Sequence, residues 1–207
     1  MIDLYTWTTP NAQKISVMLE EVGLPYVVHS IDLPQGRNRH ADFLAINPQG
    51  KVPVIVDRDG PGGAPLTLAE SGAILIYLAE KSGRLLAREG TERAGAWQWL
   101  MFQMSAIGPT FHDAYHFMAL APERLPSAID YFLQEMTRVL GILDAHLAGH
   151  EFLGGAYSIA DVTTFPWIAA ARAARMPGID ALGNLARWHA QIAARPAVVR
   201  GMAVPAA

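Results

Sequence analysis

The feature that most constrains this chain is a change of pattern along its length. Short strand-like and helix-like segments alternate up to about residue 82, and beyond about residue 92 the pattern is helical almost throughout. The first part reads as strand over residues 2–5, helix over 10–22, strand over 26–31, helix over 41–46, strand over 52–56, strand over 66–68 and helix over 70–81. The spacing of Ile15, Met18, Leu19 and Val22 supports the first helix. Gly23 and Pro25 end it. The turn-forming run Gly60-Pro61-Gly62-Gly63 separates the last two strands. The order β-α-β-α-β-β-α predicts a thioredoxin-like α/β domain over residues 1–82. A linker over 83–91 and an all-helical domain over 92–207 follow. In that second part Trp97, Leu100, Met101 and Met104 mark one helical face, and Ile129, Phe132, Leu133, Met136 and Leu140 another. Ser158-Ile159-Ala160-Asp161 has the form of a capping box opening a further helix. Pro177-Gly178 breaks it, and a last helix is expected from residue 182 to about 194.

Composition narrows the function classes. A chain of 207 residues that is 51% hydrophobic and 17% charged can bury a core, and disorder is not expected. The net charge of −3, with no dense basic run, argues against nucleic acid or an anionic membrane as partner. There are no cysteines, so a disulfide scaffold, a Cys zinc site and a cysteine nucleophile are excluded. No basic segment precedes an apolar stretch at the start, and the most apolar stretch, from Gly72 to Ala79, is too short to span a bilayer. A soluble, cytoplasmic protein is expected.

Three short motifs carry possible chemistry. Thr8-Thr9-Pro10-Asn11 follows the first strand and opens the first helix. Thr9 fits a helix cap and Pro10 the first helical position. The same turn offers helix-end positive charge and a hydroxyl that could donate to a thiolate. Gly50-Lys51-Val52-Pro53-Val54 places a proline in a strand-like run. It reads either as an edge-strand proline or as a cis Val52-Pro53 bond presenting the Val52 backbone to an extended peptide. Glu70-Ser71 opens the third helix, an ordinary helix start that could also pair with the ammonium and carboxylate of an amino-acid headgroup. In this order the three motifs could grip the thiol, the backbone and the γ-glutamyl end of one tripeptide.

With these motifs the sequence resembles a glutathione transferase over nearly the whole chain. The resemblance rests on Thr-Thr-Pro-Asn from Thr8, Asn-Pro-Gln-Gly-Lys-Val-Pro from Asn47, Glu-Ser-Gly-Ala-Ile-Leu-Ile-Tyr-Leu-Ala-Glu from Glu70 and Tyr-Ser-Ile-Ala-Asp-Val from Tyr157. Within the family it is most similar to the bacterial Nu class, the disulfide-bond reductase type. The opening Met-Ile-Asp-Leu-Tyr and Phe165-Pro166-Trp167 share in that similarity. The resemblance implies that Thr9 and Asn11 approach the glutathione sulfur as catalytic residues. It implies that Val52 supplies a main-chain pair with Pro53 cis, that Glu70 and Ser71 hold the γ-glutamyl group, and that Lys51 and Asn38 lie near the glycyl end. It further implies a homodimer with glutathione as cosubstrate, no metal, and a small disulfide or electrophile as second substrate. The implied activity is that of a glutathione transferase reducing disulfides or conjugating electrophiles.

The sequence departs from the class in places. Asn38 stands where glutamine is frequent, Tyr131-Phe132 stand where an arginine for a second glutathione is expected, and His112-Asp113 replace Gly-Gln. His112, Tyr115, His116 and Tyr131 are candidates to line the second-substrate pocket; the first three read equally as half-buried helix residues. His112 and His116 also echo a zinc helix, but Asp113 is a methylene shorter than the glutamate of that motif and no third ligand is indicated. A non-catalytic glutathione or ligand carrier, a regulatory protein on the same fold, and a glutathione-dependent isomerase or dehalogenase are the alternatives.

Overall fold

The structure, a computed structural model, describes residues 1–206. By internal contacts it divides into two compact units: Met1–Leu86 together with the tail from Ala193, and Ala87–Ile192. The first unit is built on four strands: β1 (Ile2–Thr6), β2 (Tyr26–Ser30), β3 (Val54–Asp57) and β4 (Leu66–Ala69). Between and after them run α1 (Pro10–Val22), α2 (Ala41–Ile46) and α3 (Ser71–Ser82). The sheet order is β2-β1-β3-β4, with β2 parallel to β1 and β3 antiparallel to both β1 and β4. This is the expected order of elements, and the fold is that of a thioredoxin-like domain followed by a helical one. The strand expected from residue 52 begins instead at Val54. Pro53 has no N–H to give to a ladder, so pairing starts only after it.

The core of this unit follows from the helical spacing of α1 and α3 over the sheet. Leu4, Ile15, Met18, Leu19, Ile55, Ile74, Leu75 and Leu78 are all inaccessible to solvent. Burying side chains of this size contributes roughly 1.5–3 kcal/mol each, against a large entropy of ordering.

The second unit comprises α4 (Gly90–Phe102), α5 (Gly108–Tyr115), α6 (Pro126–Leu147), α7 (Ile159–Ala173) and α8 (Gly183–Ala193). α4 and α5 are joined by π-helical turns over Gln103–Ile107, and α5 continues as another over His116–Leu120. The first π turn lies just before Pro109, where the missing N–H and the ring interrupt the regular helical ladder. α7 opens on the expected capping box. Asp161 accepts from the Ser158 N–H at 3.0 Å, and Ser158 Oγ accepts from Ala160 N at 3.3 Å. Asp161 also accepts from Leu153 N (3.0 Å) and from the buried Trp188 indole (2.8 Å), which ties α8 to the start of α7. Among the described residues no helix is long and apolar enough to cross a membrane.

A last helix, α9 (Pro196–Met202), returns to the first unit and packs along α1. Arg195 forms a bidentate pair with Glu21 (2.6 and 2.9 Å), Arg200 reaches Glu20 (2.6 Å), Ser16 donates to Gly201 O (2.7 Å) and Gln13 to Met202 O (3.1 Å). Only glycine fits at 201: a Cβ there would lie 2.4 Å from Val17 Cα.

Candidate functional site

Strand direction brings the sequence motifs together. Because β3 runs against β1 and β4, the ends of β1 and β4 and the start of β3 share one edge of the sheet. There Tyr5 faces Val54, and Val54 faces Ala69. Parallel β2 ends at the same edge, with Ser30 opposite Thr6. The segments leaving these strand ends carry Thr9 and Asn11, Asn38, Lys51 to Pro53, and Glu70 to Ser71.

Thr9 is the cap of α1. Its backbone is extended, its N–H donates to Trp7 O (2.8 Å) and its hydroxyl oxygen accepts from Ala12 N (3.3 Å). An oxygen that already accepts from the backbone keeps its own proton for a further acceptor. Thr9 is half-buried, and Asn11 sits in the first turn beside it. The helix end adds partial positive charge at this point.

The approach to β3 is braced from two sides. Asn47 accepts from Gln49 N (3.2 Å) and donates to Lys51 O (2.7 Å). Asn38 Nδ2 donates to Gly50 O (2.8 Å). Gly50 has φ +65, and a Cβ there would stand 3.1 Å from the Asn38 carbonyl, so the turn calls for glycine. Asn38 therefore holds the loop ahead of Val52, while Lys51 is exposed. The Val52-Pro53 peptide is cis, and Val52 is half-buried with Pro53 buried behind it.

Glu70 has φ +70 and ψ +109, a conformation that a residue with a Cβ rarely adopts. Such a residue costs roughly 1–3 kcal/mol and persists where its surroundings hold it, most often at functional sites. Its side chain is exposed, whereas Ser71 at the start of α3 is 4% accessible. Behind them lies Lys14 of α1, inaccessible to solvent, with Nζ 3.3 Å from Ser71 Oγ. Burial pushes the Lys14 ammonium down to about 7, and the Glu70 charge pulls it back up. The Lys14–Ser71 bond links α1 to the start of α3, the two helices that the hydroxyl motif and the Glu-Ser motif open.

Lys14 and Asn47 are absent from the sequence-derived set. A lysine one turn before Met18, on a face where Val17 and Met18 are buried, is a signal that could have found the first. Asn47 had only its place before Pro48 to mark it.

The remaining candidates lie in the helical unit. His112 and Tyr115 are exposed on α5, and Tyr131 is exposed on α6. His116 is half-buried and meets Phe117 edge-on at 5.1 Å. Phe117 stacks on Phe132 at 5.4 Å, and Tyr131 meets Phe132 at 5.1 Å. The structure thus joins His116 and Tyr131 through one run of rings and leaves His112 outside it. Among the described residues no group of three or more acidic, His or Cys side chains converges as a metal ion would need.

Residues 8–81 match the family model of the glutathione S-transferase N-terminal domain, and residues 92–191 that of the C-terminal domain. The chain is 42% identical over 199 residues to the disulfide-bond oxidoreductase YfcG of Escherichia coli (strain K12), covering 95% of this chain and 92% of the relative. Among solved structures it is similar to a glutathione transferase family member from Pseudomonas fluorescens pf-5 with two glutathione bound: TM-score 0.93, 45% identity, 97% of this chain and 92% of that one. It is also similar to a glutathione transferase from Pseudomonas putida with one glutathione disulfide bound per subunit: TM-score 0.93, 40% identity, 99% and 91% coverage.

Proposed function

This chain belongs to the glutathione S-transferase family, and on that premise we propose that it binds glutathione at the shared sheet edge and uses its thiolate to reduce small disulfides. The observation that carries the reading is the convergence of Thr9 with Asn11, Val52 with Pro53, and Glu70 with Ser71 at one end of the sheet. An extended tripeptide laid across that edge meets, in turn, groups suited to its ends and its middle. Glu70 takes the γ-glutamyl ammonium, and Ser71 with the α3 N-terminus takes its carboxylate. The Val52 backbone pairs with the cysteinyl residue as an added strand would. Lys51 lies toward the glycyl carboxylate, with Asn38 fixing the loop beneath it.

Thr9 then acts at the sulfur. A free thiol has a pKa of about 8.5, and lowering it by about two units needs roughly 2.7 kcal/mol of preference for the thiolate. A hydroxyl donor at a helix end supplies an effect of that order. The thiolate attacks one sulfur of a disulfide, forms a mixed disulfide and expels the other sulfur as a thiolate, which takes up a proton. A second glutathione thiolate attacks the glutathione sulfur of the mixed disulfide, forming glutathione disulfide and expelling the remaining substrate sulfur as a thiolate, which takes up a proton. The name of the Escherichia coli relative and the glutathione disulfide in the Pseudomonas putida structure support this chemistry over conjugation. Membership of the Nu class is part of the same proposal and rests on the sequence resemblance. A symmetric homodimer in the cytoplasm completes the proposal, with light scattering as the check on the dimer.

The test is turnover with glutathione against a small symmetric disulfide and a chlorodinitrobenzene-type aryl halide, side by side. Fast disulfide reduction with slow conjugation is expected. Conjugation alone would place the chain in another transferase class. Glutathione binding by calorimetry without either activity would favour a carrier, and no binding would defeat the proposal.

A further inference from the structure

Asn47 is 7% accessible, and its backbone and side chain are both engaged. Its N–H donates to Phe43 O (2.9 Å) at the end of α2, and its carbonyl accepts from Gly50 N (2.9 Å) across the turn Asn47-Pro48-Gln49-Gly50. The side chain spans the same turn: Oδ1 accepts from Gln49 N (3.2 Å) and Nδ2 donates to Lys51 O (2.7 Å). One end of the amide meets a donor and the other an acceptor, so turning it over would lose both bonds. The bond to Lys51 O also sets a direction. Among the described residues the cis peptides are Val52-Pro53 and Val204-Pro205, so the Lys51-Val52 peptide is trans. In a trans peptide the C=O and the N–H point in opposite directions. With Lys51 O held on Asn47, the Val52 N–H points away from Asn47. It has no partner among the described residues, since the pairing of β3 starts only at Val54.

We propose that Asn47 is a positioning residue for the main-chain pair at Val52: its side-chain amide turns the Lys51-Val52 peptide so that the Val52 N–H donates to the cysteinyl carbonyl of glutathione. The inference rests on the glutathione reading above and adds to it a residue that acts on the ligand only through a neighbour's backbone.

Two consecutive carbonyls are held this way. Asn38 Nδ2 takes Gly50 O (2.8 Å) and Asn47 Nδ2 takes Lys51 O, so both peptide planes ahead of Val52 are set before a ligand arrives. Without them the chain between Gly50 and β3 would sample several orientations, and ordering it on binding would lower the affinity. A peptide added at a sheet edge owes its affinity to main-chain hydrogen bonds, so the direction of a single N–H matters. Aspartate at 47 separates the two functions of the side chain. It keeps the size and the oxygen that accepts from Gln49 N, but it sets a carboxylate oxygen against Lys51 O in place of a donor. The Lys51 carbonyl then turns away, and the Val52 N–H turns with it.

The experiment is calorimetric titration of wild type, Asn47→Asp and Asn47→Ala with two probes: S-methylglutathione and its ester analogue, in which glycolate replaces the glycine. The cysteinyl carbonyl of the ester is the weaker acceptor, and neither probe has a thiol to ionise. Wild type is expected to bind the amide up to about tenfold more tightly than the ester, the weight of one hydrogen bond. Each variant should bind the amide about tenfold more weakly than wild type does and tell the two probes apart by no more than about twofold. If Asn47→Asp does not fold, Asn47→Ala, which removes the donor without adding a charge, decides. A variant that binds both probes more weakly but keeps the wild-type preference overturns the inference, since a merely structural role weakens the two alike. Equal binding of the two probes by wild type also overturns it, while leaving the glutathione site standing. No binding of either probe to wild type would remove the glutathione reading and this inference together.

Discussion

Thr9 and Ser71 are both hydroxyls whose oxygens already accept, from Ala12 N and from Lys14 Nζ respectively. The proposal places these two hydroxyls at opposite ends of glutathione, Thr9 at the sulfur and Ser71 at the γ-glutamyl carboxylate. Thr9→Ala removes a donor used at the reacting sulfur. It is expected to lower kcat roughly 10- to 100-fold while glutathione affinity stays within about twofold. Ser71→Ala removes a donor used only in binding, so its loss should appear in the dissociation constant. Steady-state kinetics with calorimetry on both variants separates the two, and equal loss of affinity in both would sink the division of labour. A different residue reports on stability. Arg58 and then His29 hold the buried Asp3 carboxyl down to about 2, below its ordinary value of 3.8. A depressed carboxylate contributes stability above its unfolded pKa and loses it as pH falls through the folded one, here between about pH 4 and pH 2. Arg58 is largely exposed and screened by solvent, so the contribution is small. Asp3→Asn should lower the urea midpoint at pH 7, and the gap to wild type should close toward pH 2.

Among the elements, α9 makes the sharpest prediction. Its approach to α1 leaves no room for a Cβ at 201, and the obstacle is the Val17 backbone, which cannot swing aside. Gly201→Ala is expected to cost roughly 1–3 kcal/mol through forced separation of the two helices. A thermal scan should show a drop of several degrees, and an unchanged midpoint would mean that α9 contributes little. This contact also marks where sequence reading stops. Arg195-Pro196 carries an ordinary helix-start signal, but nothing local says that the helix lands on a partner about 180 residues earlier. Elements were legible where caps, turns and spacing are local: Thr9 at the start of α1 and the glycines before β4 in the first unit, and the Ser158–Asp161 box in the second. Lys14 was not, because its burial is set by α3. The π turns around Pro109 and at His116 were not either, since they differ from an α-helix only in which carbonyl each N–H finds. The convergence at the sheet edge was legible only in outline. Motif order implied it, but strand direction and the Lys14–Ser71 bond supply the geometry.

For the whole molecule, the absence of cysteine has a kinetic consequence. Reducing a disulfide takes two thiols, one to attack and one to resolve the mixed disulfide, and this chain supplies neither. Both must come from glutathione. If the protein holds the second molecule as well as the first, the initial rate at fixed disulfide should rise more steeply than linearly at low glutathione and approach the square of its concentration. If the mixed disulfide leaves and is resolved in solution, the enzymatic step is first order in glutathione throughout. The question is pointed here because Tyr131 stands where relatives are expected to place an arginine for the second glutathione, and Tyr131 is an exposed member of the ring run through Phe132, Phe117 and His116. A tyrosine hydroxyl can donate one hydrogen bond but brings no charge, so the second glutathione should saturate at higher concentration than the first. Initial rates over a wide glutathione range, repeated with Tyr131→Phe and Tyr131→Arg, test this. A curve of higher order in which Tyr131→Arg tightens the second saturation supports a protein-held second glutathione; strictly first-order rates in all three proteins place the resolving step in solution.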